Sequence, residues 1–180
     1  MFHSKNNYIA CICEGSTEQN LINLLLEQNL LSFSKDQLLE KNTIKGLFRD
    51  STKFTNRFLT RDYGDKKITI FIIQDKKTSY TIKDPYSKKI EGLYQFVTSP
   101  EIEMLMIHSL SLYKDYQKVK STQKPSCFVA EKLKTSPKKI KRKEFIEDFF
   151  TKHDLKTAII SHKSNSKKVS GSYFLADLLK

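Results

Sequence analysis

The segment Lys67–Ile73, KITIFII, is a near-continuous apolar run dominated by isoleucine. A strand with one wet face alternates apolar and polar residues; an unbroken run needs cover on both faces, the condition of a central strand in a parallel sheet. A second apolar run, Tyr8–Cys13, stops abruptly at Glu14-Gly15-Ser16-Thr17-Glu18. Leu21, Leu24, Leu25 and Gln28 then recur at helical spacing, and Ile22 and Leu26 widen the stripe. Ser16 or Thr17 suits the cap of this helix, and Glu18 or Gln19 favours its first turn. Strand, glycine turn and helix make the opening of a βα unit. The chain is therefore expected to be α/β, a parallel sheet flanked by helices.

The remaining elements follow from punctuation. Phe54, Phe58 and Leu59 predict a helix from about Ser51 to Asp62, broken by Gly64-Asp65. Residues 76–92 are polar, contain Pro85 and Gly92, and read as loops. Leu93–Val97 (LYQFV) is a third strand, ending at Thr98-Ser99-Pro100-Glu101. Pro100 suits the first turn of the next helix and Ser99 its cap. Ile102, Leu105, Met106, Ser109 and Leu112 carry that helix to about Lys118. After Lys120 the character changes: Pro125 and Pro137 interrupt the chain, and short helical patterns follow at Glu144–Lys152, Leu155–Ser161 and Tyr173–Leu179. The segment SHKSNSKKVSGS between the last two reads as a mobile loop. The expected organisation is an α/β domain over residues 1–120 and a basic helical extension, 121–180, packed on the same domain.

Charge narrows the partners. Lys and Arg total 32 against 20 Asp and Glu, a net charge of +12 over 180 residues. Such a field draws polyanions: nucleic acid, an anionic membrane surface or an acidic protein. Most of the charge is lysine, which suits phosphate contact better than planar base readout. Lys132, Lys134, Lys138, Lys139, Lys141, Arg142 and Lys143 form a basic stretch that reads as phosphate-contacting, as do Lys76 and Lys77 beside the central strand. A lysine-rich solvated surface is the bland alternative. Phe145 and Phe149, four apart, point to a core stripe rather than a base-stacking platform.

Several classes are excluded. No segment reaches the length of a membrane span, and the polar start MFHSKNN lacks the apolar core of a signal peptide, so a cytoplasmic protein without membrane contact is expected. Cys11, Cys13 and Cys127 supply neither a disulfide framework nor a second zinc-ligand pair, and all three read as buried thiols. There is no Walker A motif, dinucleotide loop or Ser-His-Asp spacing. His3, His108, His153 and His162 are scattered; His108 lies two turns beyond Glu101 and is expected in the core or on a helix surface. Lys124-Pro125-Ser126 places Ser126 as a helix N-cap.

The chemistry-bearing pattern is acidic. Three predicted strands each end in an acidic residue, Glu14, Asp75 and Glu101, with Glu18 and Glu103 one short step further on. In an open parallel sheet, sites form beyond the carboxyl ends of the strands. Oxygen donors there suit magnesium or manganese. Each acid also has a structural reading: Glu18 as a helix N-terminal charge, Asp75 as a turn former, Glu103 as a solvated helix residue.

ICEGSTE, residues 12–18, resembles the first Toprim motif, a strand, a Glu-Gly pair and a helix. Toprim domains occur in topoisomerases, primases and nucleases, including the OLD (overcoming lysogenization defect) type. The resemblance covers roughly residues 7–120 and implies a compact parallel α/β fold. It implies that Glu14 serves acid–base chemistry or metal binding, with Glu18 as the second acid of the OLD-like pattern. The Asp-x-Asp motif is matched in part: IIQDKK supplies Asp75, and Lys77 stands at the second aspartate position. SPEIE resembles a further acidic segment of OLD-like proteins, pointing to Ser99, Glu101 and Glu103. The whole chain also looks like a small bacterial family with EGSxE, PEIEML and KPS segments. The implied function is a metal-dependent nuclease or nuclease-like protein acting on DNA or RNA, with Mg2+ or Mn2+ as cofactor and a role in phage defence by analogy. Two alternatives stay open: a non-catalytic nucleic-acid-binding module with a degenerate site, and a protein-interaction effector or toxin component whose basic face docks a protein partner.

Overall fold

The computed structural model describes residues 2, 4, 6–98 and 102–180. Its centre is a four-stranded parallel sheet in the order β2-β1-β3-β4, built from β1 (Tyr8–Cys13), β2 (Ile44–Lys45), β3 (Ile68–Gln74) and β4 (Ile90–Val97). The expected α/β class is observed. β1 and β3 are the inner pair, in register from Tyr8 opposite Ile68 to Cys13 opposite Ile73. Every residue of β3 is buried, Thr69 and Gln74 included. The isoleucine run occupies the place its lack of alternation demands.

Strand periodicity sorts these residues into two cores. Ile9, Cys11 and Cys13 of β1, with Phe71 and Ile73 of β3, face the first; Ala10 and Ile12, with Ile68, Ile70 and Ile72, face the second. The second core is closed by α2 (Ser51–Phe54), which runs on through a π-helical turn at Thr55–Leu59. Phe54, Phe58 and Leu59 are almost completely buried there. Asp50 caps α2 by accepting from the Thr52 and Lys53 N–H groups. Full burial of each such side chain contributes about 1.5–3 kcal/mol.

The first core is larger. It joins α1 (Ser16–Glu27) to α3 (Glu103–Ser109), α5 (Pro125–Lys132), α6 (Lys143–Lys152) and α7 (Leu155–Ser164). Tyr116 of α4 (Tyr113–Val119) enters the same cluster, as do Leu175 and Leu178 near the chain end. Residues before and after 120 thus share one core. Ile146, Phe149 and Phe150 are buried in it, with Phe145 packed at its margin, in keeping with the stripe expected around Phe145 and Phe149.

Several local expectations are corrected. The helix expected to run to Lys118 breaks in two after Ser109. Ser111 adopts φ 58°, its N–H bonds the His108 carbonyl, and the Leu112 N–H reaches back to Ile107. This is a Schellman-type stop, and it lets Ile107 and Tyr116 enter one core from differently directed helices. Ser126 is not the α5 cap: Pro125 takes the first helical position and Lys124 the cap, because proline has no N–H to leave unpaired. Tyr173 is not helical; its backbone pairs with the free edge of β4, donating to Gln95 O at 2.8 Å and accepting from Val97 N–H at 3.0 Å. Only Leu175–Leu178 form a 3-10 turn. β4 begins at Ile90, three residues before the expected start. Cys11 and Cys13 are buried, and Cys127 is exposed on α5. The Cys13 thiol is pushed well above its ordinary range by its hydrogen bond with Cys11 and by burial, which keeps it un-ionised. Ser99, Pro100 and Glu101, and the cap and strand-end roles expected of them, lie outside the described residues. Among the described residues no helix is long and apolar enough to cross a membrane.

α3 and α7 meet through a histidine pair. The His108 ring stacks on Tyr113, with centroids 4.8 Å apart, and lies 5.5 Å from the His162 ring. Burial, and then the neighbouring His108, lower the His162 pKa from 6.5 to about 4, and burial lowers that of His108. Between these two values the unfolded chain binds a proton at residue 162 that the folded chain refuses. Stability is therefore full above pH 6.5 and falls as the pH drops toward 4. His162→Gln is expected to remove on the order of 2–3 kcal/mol of the loss between pH 7 and pH 4. Urea midpoints of wild type and variant across that range measure it; parallel curves would refute it.

Candidate functional site

The strand order β2-β1-β3-β4 reverses direction between β1 and β3: the chain leaves β1 toward β2 on one side and β3 toward β4 on the other. A crevice at such a switch point, beyond the carboxyl ends, is where open α/β sheets hold their ligands. Glu14 and Asp75 are the first residues past the two ends.

The Glu14 N–H donates to Ile73 O at 2.9 Å and carries the ladder one residue beyond the strands. Its carboxylate then bridges the switch point. Oε2 accepts the Asp75 N–H at 2.9 Å, and Oε1 meets the Arg49 guanidinium at 2.9 Å. The two side chains are about one-third exposed, at 33% and 30%. Arg49 closes the 3-10 turn Gly46–Arg49 directly after β2 and also donates to Gly46 O. That turn lies against the β1 end so tightly that a Cβ at Gly46 would sit 2.2 Å from Glu14 O. Only glycine permits the approach that brings Arg49 to Glu14.

Glu18 sits in the first turn of α1, where its Oε2 accepts the Gly15 N–H at 3.0 Å. This is the helix-terminus role open to an acid at that position. The same carboxyl also carries a raised pKa. Burial is the largest cause, and the negative charges of Asp75 and Glu14 add to it, against the backbone N–H groups of Glu18 and Gly15. Glu14, Glu18 and Asp75 thus share one electrostatic neighbourhood. Asp75 is exposed, and its Oδ1 accepts from Thr98 Oγ at 3.2 Å.

The loop leaving Asp75 is held from below by a buried amide network. Gln74 Nε2 donates to Gln95 Oε1 at 2.8 Å, which also accepts the Thr78 N–H. Gln95 Nε2 donates to Thr78 O at 2.8 Å, and Thr78 Oγ to Gln74 Oε1. Lys77 reaches across to the C-terminal segment, where Nζ donates to Ser170 O at 3.3 Å. Lys76 is exposed beside it.

Glu103 has a different setting. It is fully buried at the start of α3, with Lys141 Nζ 3.1 Å from its carboxylate. Lys141 of the basic stretch is thus an ion-pair partner of the core, and Lys143 pairs with Glu147 on α6. Lys138, Lys139 and Arg142 are exposed. Glu101 lies outside the described residues. The described site unites Glu14, Glu18 and Asp75 and adds Arg49, Thr98 and Gln74. Arg49 had no signature in the sequence: a two-residue strand carries no periodicity, and only the Gly46 contact shows why residues 46–49 meet the end of β1.

Among the described residues no three of His, Cys, Asp and Glu are grouped so as to hold a metal ion. The donors present fit a hard cation in kind, since magnesium is commonly held by one or two carboxylates together with waters and substrate phosphates. A cation there would offset the negative charges of Asp75 and Glu14 that, after burial, raise the Glu18 pKa.

The fold and site define a parallel α/β protein with a carboxylate cluster and one arginine at its switch point. No protein-family model, curated protein or solved structure matches the chain.

The amide network generates a test. Gln74→Leu removes one donor to Gln95 Oε1 and the acceptor of the Thr78 hydroxyl, while Gln95 keeps its two bonds to the Thr78 backbone, and is expected to cost about 1–3 kcal/mol. The double variant Gln74→Leu/Gln95→Leu is expected to lose more, because it also takes from the Thr78 N–H and carbonyl their Gln95 partners. Chemical denaturation of the three proteins measures it; a neutral single variant would contradict the network.

Proposed function

We propose that this protein is a nuclease-like enzyme that acts on phosphodiester bonds of DNA or RNA, with Glu14, Glu18 and Asp75 as its acidic centre and Mg2+ or Mn2+ as cofactor. The observation that carries the proposal is the junction of these three acids and Arg49 at the carboxyl ends of β1 and β3. A chain of net charge +12 that gathers acids at one point of its sheet has reason to spend that repulsion on chemistry.

Each residue has a role in this reading. Glu18, whose carboxyl is held above its ordinary range chiefly by burial and beside Asp75 and Glu14, is the candidate for proton transfer. Asp75 and Glu18 are the donors that would hold the cation, with Glu101 as a further candidate. The cation, when bound, supplies charge neutralisation at the phosphate and lowers the pKa of a coordinated water. Arg49 offers a planar fork that matches phosphate geometry. Glu14 orients that fork and pins the backbone of Asp75. The Toprim and OLD-like resemblance assigns the same residues to acid–base and metal roles. A part in phage defence belongs to the proposal through that resemblance alone.

A second reading is favoured by one observation. Both Glu14 oxygens are already engaged, and the second Asp-x-Asp position is Lys77, which supplies a cation in place of a ligand. A nucleic-acid-binding module without catalysis has these properties. A protein-interaction role for the basic surface is the remaining alternative, and co-purification with a protein would favour it.

Labelled single- and double-stranded DNA and RNA, incubated with Mg2+, Mn2+ or EDTA, decide between them. Metal-dependent cleavage is expected, and Glu18→Gln, which removes the proton-transfer group, is expected to slow it by about 10²–10⁴-fold. Binding without cleavage in either metal would establish the non-catalytic module, and neither binding nor cleavage would overturn both.

A further inference from the structure

The basic stretch 132–143 is the obvious phosphate-binding candidate in the sequence, yet the fold ties a second lysine-bearing segment to the loop that follows Asp75. The chain between α7 and the Tyr173 pairing, residues 165–172, is tied at its C-terminal end to β4 and to the loop after Asp75. Tyr173 is hydrogen-bonded to Gln95 and Val97 on the β4 edge, and Val97 leads into Thr98, whose hydroxyl donates to Asp75. Ser172, 2% exposed, closes a turn by donating through N–H and Oγ to Val169 O. From the other side Lys77, two residues past Asp75, donates to Ser170 O. Gly171 has φ +67°, which favours glycine, and a Cβ there would lie 2.3 Å from Lys77 Nζ and push the lysine tip aside. Lys167 and Lys168 stand on this loop, exposed, and Lys168 Nζ lies 5.1 Å from the Tyr173 ring centroid.

We infer that residues 165–172 form the strand-contacting arm of the site: Lys167 and Lys168 bind the phosphate backbone of a nucleic acid lying across Glu14, Glu18 and Asp75, and Lys77 is the latch that holds the arm against the sheet. The inference rests on the nucleic-acid reading above and names the residues that engage the substrate. It gives Lys77 a task at a position where the resemblance led to an aspartate. Lysines on a docked loop supply charge without base readout, so the arm binds DNA or RNA by backbone and in a salt-dependent way. Lys77 is a positioning residue here, acting through its hydrogen bond to the Ser170 carbonyl.

Fluorescence anisotropy in EDTA, with labelled single- and double-stranded oligonucleotides of DNA and RNA, tests the arm separately from catalysis. Lys167→Ala/Lys168→Ala is expected to weaken binding by about tenfold or more at low salt. It is also expected to reduce the slope of log affinity against log salt by about 1.4–1.8, the release expected for two phosphates. Lys67→Ala/Lys88→Ala, at exposed positions by the opposite, amino ends of β3 and β4, is expected to stay within about twofold of wild type. Lys77→Met is expected to weaken binding, Lys77→Arg to restore it, and the triple variant Lys77→Met/Lys167→Ala/Lys168→Ala to lose little beyond the double variant. Unchanged affinity and slope in the arm variant, or an equal loss in the control pair, would overturn the inference while leaving the nucleic-acid reading intact. A wild-type protein that binds none of the oligonucleotides would overturn both.

Discussion

The structure depends on the pairing of β1 with β3. These strands lie side by side over six registered positions, with both faces covered and no exposed residue in β3. A parallel pair of this kind has no turn to set its register, so burial must set it: a slip of one residue would exchange Phe71 and Ile73 with Ile70 and Ile72 between two differently shaped cores. The register in turn decides that Cys13 and Ile73 end together, and so that Glu14 and Asp75 leave the sheet side by side.

Glu14 converts that register into a site. Its carboxylate is held by an N–H from the loop after β3 and by a guanidinium from the turn after β2, so three separate strand ends are joined through one side chain. Gly46 makes the arrangement sterically feasible, and the Gln74–Gln95–Thr78 network fixes the start of the neighbouring loop from within the protein. Buried, mutually satisfied amides serve this purpose well, because any displacement of the loop would leave several of them unpaired at once.

The C-terminal part of the chain completes rather than extends the sheet domain. α5, α6 and α7 share a core with α1 and α3, and Tyr173 pairs along the β4 edge that would otherwise be free to associate with another strand. Charge is divided with similar economy. Lys141 is drawn to the buried Glu103 and Arg49 to Glu14, whereas Lys167 and Lys168 stay exposed on the loop whose Ser170 carbonyl Lys77 contacts.

Much of the architecture is legible in the sequence, because it rests on local pattern. KITIFII has no polar phase and so must be central; Tyr8–Cys13 followed by Glu-Gly and a leucine stripe must be a strand, a turn and a helix. The acids after these strands are equally visible, since only the strand ends matter. What the sequence leaves open depends on pairs far apart in the chain. Nothing local tells that Arg49 reaches Glu14, that Glu103 is buried beside Lys141, that the helix after Glu103 stops at Ser111, or that Lys77 meets Ser170. The sequence by itself determined the α/β class, the central strand and the acids at the strand ends, because periodicity and burial act on neighbouring residues. Only the tertiary structure decided which charges meet, because ion pairs and backbone approaches are chosen by the packing of whole elements.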